Sequence, residues 1–174
     1  LADGSTNVVL YAPRRYGKTG LIHHVFERMP KGTTTIYLDI YATCDLAEFT
    51  KMFAAAVVGA LDTKVEKAMS AAVKFFRSCR PTVTPQEFGF PKFSFDVVPS
   101  NAEATLKEVF EYLKARERRV VIAIDEFQQV RKYPEYGVEA RGSAENLGIW
   151  GGMDAMAKEA SGDLLLFLQN DHLS

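Results

Sequence analysis

The sequence predicts an α/β fold, specifically a three-layer sandwich with a mostly parallel central sheet. Three apolar or β-branched runs carry this prediction, at residues 7–11, 33–40 and 120–124. Segments with helical periodicity separate these runs, and strands that alternate with helices form right-handed βαβ units. The third run, Val-Val-Ile-Ala-Ile, is apolar at every position, which is typical of a parallel strand covered on both faces.

Length and composition favour a single domain, which we predict to span residues 1–174. The 21 Lys and Arg residues and 22 Asp and Glu residues give a formal net charge of −1. This balance does not indicate DNA as a partner, although it leaves a local basic patch open. Two cysteines without metal-ligand spacing are typical of a reduced, cytoplasmic protein. No apolar run has the length of a membrane span, so we expect no membrane partner.

Periodicity and end signals place the helices. The pattern predicts helices from Lys18 to about Met29, from Leu46 to Leu61 with Asp45 as N-cap, from Lys64 to Arg80, and from a capping box at Ser100–Glu103 to about Glu117. Residues 81–99 contain four prolines and four phenylalanines, and we predict a surface insertion with a short hairpin strand at 92–97. Its phenylalanines form either a stacking surface for a base or partner, or the commoner satellite hydrophobic cluster.

The first apolar run leads into a loop with the chemistry of a phosphate-binding loop. Residues 12–19 read Ala-Pro-Arg-Arg-Tyr-Gly-Lys-Thr, and a helix-compatible segment follows. In such a loop, backbone N–H groups and the positive end of the helix dipole converge on one anion. Lys18 would reach the β- and γ-phosphates, and the Thr19 hydroxyl would ligate Mg²⁺. The predicted nucleotide-binding residues are Ala12, Pro13, Arg14, Arg15, Tyr16, Gly17, Lys18, Thr19 and Gly20.

Ala12 stands where this loop pattern usually begins with glycine. Alanine is tolerated there if its φ stays negative and is penalised if φ must be positive. The alternative interpretation is a structural turn with an ordinary surface lysine. The strand before the loop and the helix after it disfavour that alternative.

The third apolar run ends in two acidic residues, Asp125 and Glu126. Because α/β sheets bind ligands at the carboxyl edge of their strands, we expect these residues to lie beside the phosphate-binding loop. Asp125 would hold Mg²⁺, directly or through a water, opposite Thr19. Glu126 would polarise the water that attacks the γ-phosphate, which makes Glu126 and Lys18 the predicted catalytic residues. In the alternative interpretation, Asp125 caps a following helix and Glu126 lies on its first turn, which does not exclude catalysis.

The motifs Tyr-Ala-Pro-Arg-Arg-Tyr-Gly-Lys-Thr and Ile-Asp-Glu-Phe-Gln together resemble the prokaryotic AAA-type ATPases of the STAND group, often called archaeal-type ATPases. The resemblance extends from about residue 7 to residue 133. It implies a P-loop NTPase fold with ATP and Mg²⁺ as cofactors, Lys18 and Thr19 in the Walker A loop, and Asp125 and Glu126 as the Walker B pair. Members typically continue into a helical lid. We therefore interpret the chain as a fragment whose C-terminal lid is absent, with a homo-oligomer or the C-terminal domains of a parent protein as partners.

Two regions depart from the family pattern. Gly20 stands where the family usually has Ser and lowers the stability of that helical turn by up to ~1 kcal/mol. The glycine-rich residues 137–152 lack the expected helix and strand, and a short helix is predicted only at 153–160. A strand at 164–168 would bring Gln169 or Asn170 near a sensor position.

The sequence leaves three functions open. The leading hypothesis is an ATPase that couples hydrolysis to a partner. The second is a nucleotide-dependent switch or scaffold with little or no hydrolysis. A small-molecule kinase is disfavoured because the acidic pair follows the ATPase pattern.

Overall fold

In the computed structural model, the structure describes residues 8–12, 15–62, 65–84, 92–116, 118–134 and 164–170. The chain divides into two compact units. The first unit comprises Leu1–Asp45 and Glu117–Ser174, and the second comprises Leu46–Arg116. Pro13, Arg14 and the predicted helix at 153–160 lie outside the described residues.

The first unit contains a four-stranded parallel sheet. Its strands are β1 (Val8–Ala12), β2 (Thr34–Asp39), β5 (Val120–Asp125) and β6 (Leu164–Asn170), in the order β1-β6-β5-β2. Every neighbouring pair in this sheet is parallel. The predicted α/β class and parallel sheet are therefore confirmed, and the strand expected at 164–168 lies between β1 and β5. The three-layer arrangement stays a prediction.

One helix of the first unit, α1 (Lys18–Glu27), follows β1. Ile22 is its buried residue and packs in a cluster with Ala123 of β5, against which Tyr37 of β2 also packs. All six residues of β5 are buried, as its uninterrupted apolar run predicts. The helix ends two residues earlier than expected, since Arg28 already has a non-helical backbone ahead of Pro30.

The second unit combines three helices with a β-hairpin. The helices are α2 (Leu46–Leu61), α3 (Val65–Phe75) and α4 (Ala102–Lys114), and the antiparallel strands are β3 (Arg80–Thr84) and β4 (Lys92–Asp96). The bounds of α2 and the short strand near 92–97 agree with the sequence prediction. The continuation of α3 to Arg80 was wrong. Pro81 disfavours helical backbone at Arg80, and the pairing with β4 draws residues 80–84 into a strand.

The predicted capping box at Ser100–Glu103 does not form. A 3₁₀ turn at Pro99–Asn101 precedes α4, and Asn101 occupies the N-cap position without a side-chain bond to the helix. The Asn101 amide instead donates to the carbonyl of Ser78 at 3.3 Å. The cap residue therefore connects the helix start to a distant segment, which local sequence rules do not anticipate.

Aromatic packing and one polar network hold the second unit together. Phe95 of the hairpin is 1% exposed and meets the Phe76 ring edge-on, with centroids 4.9 Å apart. Phe95 thus belongs to a hydrophobic cluster, which is the commoner of the two sequence interpretations. Nearby, the buried Tyr112 hydroxyl donates to Asp62, and Arg116 forms an ion pair with the same carboxylate at 2.7 Å. Burial, and then the bond to Asp62, raise the pKa of Tyr112 to about 12.

Candidate functional site

The loop between β1 and α1 has the backbone shape of an anion-binding site. Arg15 and Gly17 both adopt left-handed backbone conformations, with φ of 71° and 74°. Turns of this kind orient successive N–H groups toward one concave point. The left-handed conformation costs a residue with a side chain about 1 kcal/mol, so its presence at Arg15 points to function. Ala12 is the last residue of the extended strand β1, where alanine is readily accommodated.

The charged and hydroxyl side chains at the end of the predicted loop lie at the start of α1. Lys18 and Thr19 are its first two residues, and Gly17 is its N-cap. Gly20 follows on the exposed surface of the helix, and a Cβ at this position would meet nothing within 4 Å. Tyr16 is 75% exposed. An anion at this point would therefore face the positive end of the α1 dipole.

Thr19 and Asp125 are brought together, although 106 residues separate them. The Thr19 hydroxyl donates to Oδ2 of Asp125 at 2.9 Å, across the carboxyl edge of the sheet. Adjacent oxygen ligands of an octahedral Mg²⁺ lie about 2.9 Å apart, so the hydroxyl and carboxylate oxygens have the spacing and hardness that Mg²⁺ requires. The residues present therefore fit this metal.

The surroundings of Asp125 also favour a cation. Its side chain is buried, at 5% exposure. Within the described part of the chain its hydrogen-bond donors are the hydroxyls of Thr19 and Tyr37 and the backbone N–H of Glu126, all of them neutral. A buried carboxylate is costly without a compensating positive charge. A bound divalent cation would supply that charge.

Groups of three or more His, Cys, Asp or Glu side chains suited to hold a metal are absent from the described ranges.

Tyr37 is a site residue that the sequence prediction missed. Its hydroxyl donates to Oδ2 of Asp125 at 2.9 Å. The strand register aligns Tyr37 with Ala123 and Asp39 with Asp125, so these side chains share one face of the sheet. Burial, and then the hydrogen bond to Asp125, raise the pKa of Tyr37 above its usual range, so the hydroxyl remains a donor. The available signal was the alternation along β2, in which Ile36 and Leu38 are buried on the opposite face.

Glu126 follows β5 in a strained conformation. Its φ is 58°, which is uncommon for a residue with a side chain. Its N–H donates to Oδ1 of Asp125 at 2.9 Å, and its own carboxylate accepts a hydrogen bond from the Gln128 amide. A 3₁₀ helix at Phe127–Lys132 follows, with Glu126 at the N-cap position. The alternative in which Asp125 caps this helix was therefore wrong.

Hydrogen bonds connect the segment that follows β2 to the segment that follows β5. The Gln129 amide donates to the carbonyl of Thr43 at 3.1 Å, and the Thr43 hydroxyl donates to the carbonyl of Ile40 at 2.6 Å. Tyr133, which is fully buried, forms a hydrogen bond with the same Thr43 hydroxyl. These contacts hold the loops on either side of the acidic residues in fixed positions.

The end of β6 lies beside the start of the phosphate-binding loop. Asn170 pairs with Ala12 and Gln169 pairs with Tyr11 in the parallel register. The backbone thus brings both candidate sensor residues to the carboxyl edge of the sheet. A sensor role for either residue stays a prediction.

Fold and site together define a class: an α/β protein in which the loop between β1 and α1 and an acidic strand end lie on one edge of a parallel sheet. A family model described as an ATPase domain predominantly from Archaea matches residues 2–141. The chain belongs to this archaeal-type ATPase family, and membership indicates an ATP-binding ATPase with a nucleotide substrate. No curated protein matches the chain in sequence.

Among the helices that the structure describes, none has the length and apolarity to cross a bilayer.

Proposed function

We propose that the chain is the nucleotide-binding core of an AAA/STAND-type ATPase that binds Mg-ATP and hydrolyses it. Residues 12–20 serve as the Walker A loop, and Asp125 and Glu126 serve as the Walker B pair. The observation that carries the proposal is the hydrogen bond between Thr19 and the buried Asp125 carboxylate. It joins the two halves of the proposed magnesium site.

Each residue has a distinct role in this reaction. Loop N–H groups from Ala12 to Gly20 bind the phosphates, and Lys18 offsets the charge of the β- and γ-phosphates. Further charge on those phosphates would be offset by Mg²⁺ held by Thr19 and Asp125. Glu126 accepts a proton from the attacking water. Catalysis therefore consists of positioning and charge stabilisation, with no covalent intermediate on the protein.

One observation favours the second candidate, a nucleotide-dependent switch with little hydrolysis. Gln128 donates to the Glu126 carboxylate, and the Glu126 backbone is left-handed. The amide bond to Oε2 restricts the orientation of the carboxylate toward an attacking water. If this orientation is poorly suited to water activation, bound ATP would hold a conformation and turn over slowly.

The proposal extends to the setting of the protein. ATP hydrolysis would be coupled to a partner, either further copies of this chain or C-terminal domains of a parent protein, in the cytoplasm. A three-layer sandwich is the fold that the parallel sheet and its family support.

Two substitutions test the proposed function. We expect Lys18→Ala to abolish ATP binding, because it removes the positive charge that faces the phosphates. We expect Glu126→Gln to bind ATP without turnover, because it removes only the base. A fluorescent ATP analogue reports binding, and phosphate release reports turnover. Lys31→Ala, at an exposed lysine after α1, is the matched control and should bind ATP normally. Unchanged ATP affinity in the Lys18 variant would reject the site. Wild-type turnover no faster than that of Glu126→Gln would establish the switch.

A further inference from the structure

Tyr37 connects the two halves of the candidate magnesium site without belonging to either motif. It lies on β2, whereas Thr19 begins α1 and Asp125 ends β5. Its hydroxyl and the Thr19 hydroxyl donate to the same carboxylate oxygen, each at 2.9 Å. Removal of the tyrosine hydroxyl would therefore change the surroundings of the metal-binding carboxylate and leave both motifs intact.

The contacts of Asp125 fix the rotation of its carboxylate. Oδ1 accepts a hydrogen bond from the backbone N–H of Glu126, and Oδ2 accepts hydrogen bonds from the hydroxyls of Thr19 and Tyr37. The Thr19 hydroxyl would turn a lone pair toward Mg²⁺ when the ion binds, so its bond to Oδ2 depends on the metal. The Tyr37 hydroxyl is not a proposed metal ligand, so its hydrogen bond to Oδ2 does not depend on the metal in this way. It is the side-chain donor that can hold Oδ2 toward Thr19 both with and without a cation.

The Tyr37 ring is itself held in place. The ring of His23 packs against it, with centroids 5.3 Å apart and planes inclined by 43°. His23 follows Thr19 by four residues on α1, so the two side chains lie on one face of the helix, a turn apart. The helix that presents Thr19 therefore also packs on the residue that orients Asp125.

We infer that Tyr37 is a positioning residue for the metal-binding carboxylate: its hydroxyl holds Oδ2 of Asp125 toward Thr19 and thereby sets the affinity for a divalent cation. The inference rests on the proposed function, since it assigns the cation to Thr19 and Asp125. Groups that orient metal ligands typically change metal affinity by 10- to 100-fold when they are removed. Tyr37 should act on the cation and leave the contacts of the loop with the phosphates unchanged.

Tyr37→Phe tests this inference because it keeps the ring that packs on His23 and removes only the hydroxyl. Two dissociation constants are measured on the whole 174-residue chain. The first is that of a fluorescent ATP analogue in EDTA. The second is that of Mn²⁺ for protein loaded with a non-hydrolysable ATP analogue, from the electron paramagnetic resonance signal of free Mn²⁺. Tyr112→Phe is the matched control, since it removes a buried tyrosine hydroxyl that donates to an aspartate in the second unit.

We expect Tyr37→Phe to weaken Mn²⁺ binding about tenfold and to leave the metal-free nucleotide affinity unchanged. Tyr112→Phe should change neither constant. Thermal unfolding of both variants separates a loss of fold from a loss of metal binding. A Mn²⁺ dissociation constant within about twofold of wild type would overturn the role of Tyr37, as would an equal loss of both affinities. Failure of the wild-type chain to bind the analogue would instead reject the proposed function itself.

Discussion

The two units contain the same polar pair in different electrostatic settings. In the first unit the Tyr37 hydroxyl donates to Asp125, and in the second the Tyr112 hydroxyl donates to Asp62. Asp62 also forms an ion pair with Arg116, whose guanidinium lies 4.6 Å from the centre of the Tyr112 ring. The hydrogen bonds that Asp125 accepts in the described residues come instead from neutral donors, and its second hydroxyl donor is Thr19.

This difference distinguishes Asp62, a structural carboxylate, from Asp125, the carboxylate that we propose binds a cation. Asp62 is neutralised within the fold, so its network is complete and serves stability. Asp125 is more deeply buried, and the hydrogen bonds that it accepts within the described residues all come from neutral donors. The charge of its hydrogen-bond donors is thus a better guide to the function of a buried carboxylate than the number of its hydrogen bonds.

The largest expected effect comes from Asp125→Asn. The amide removes the charge that would bind Mg²⁺, but its oxygen can accept the Glu126 N–H while the Thr19 and Tyr37 hydroxyls turn to accept from its NH₂ group. We therefore expect ATP hydrolysis to fall by about 100-fold or more, while the free energy of unfolding without nucleotide changes by less than about 1 kcal/mol. Phosphate release and urea unfolding measure the two quantities. A large loss of stability with retained hydrolysis would place Asp125 with Asp62 as a structural carboxylate.

The reverse result is expected for Asp62→Asn. This substitution leaves Arg116 without its carboxylate, and we expect the free energy of unfolding to fall by about 1 kcal/mol. The figure is small because the Arg116 side chain is 33% exposed, so solvent screens the pair. ATP affinity and Mn²⁺ affinity should match wild type. A loss of nucleotide binding at unchanged stability would show that the two carboxylates do not divide function from structure.

Sequence patterns predicted the parts of the site that depend on local signals. The apolar run ahead of Asp125 and the Gly-Lys-Thr end of the loop are continuous segments, and the rule that parallel strands present ligand residues at one edge brings them together. The apolar run at 164–168 likewise predicted a strand, which the structure has at Leu164–Asn170, despite the glycine-rich segment before it. These predictions needed no knowledge of which strands are neighbours.

The missed features depend on pairings between distant segments. Tyr37 meets Asp125 only because β2 pairs with β5 in one register, and a one-residue shift would turn it to the other face. Arg80 continues the helical pattern of α3 in sequence, but it lies in β3 because it pairs with β4. The Asn101 side chain makes no capping hydrogen bond to α4, because its amide donates to the carbonyl of Ser78. The left-handed Glu126 is likewise invisible in sequence, since local propensity argues against it.

The smallest expected effect compares one helical glycine in each unit, Gly20 of α1 and Gly59 of α2. Both positions have open space for a Cβ. Alanine is favoured over glycine in helices by up to about 1 kcal/mol, and less near the ends. We therefore expect Gly20→Ala and Gly59→Ala each to raise the free energy of unfolding by about 0.5 kcal/mol, measured by urea denaturation. If only Gly59→Ala stabilises the protein, the start of α1 needs the freedom of glycine even without a ligand. The first unit would then give up helix stability at the proposed phosphate-binding end of α1.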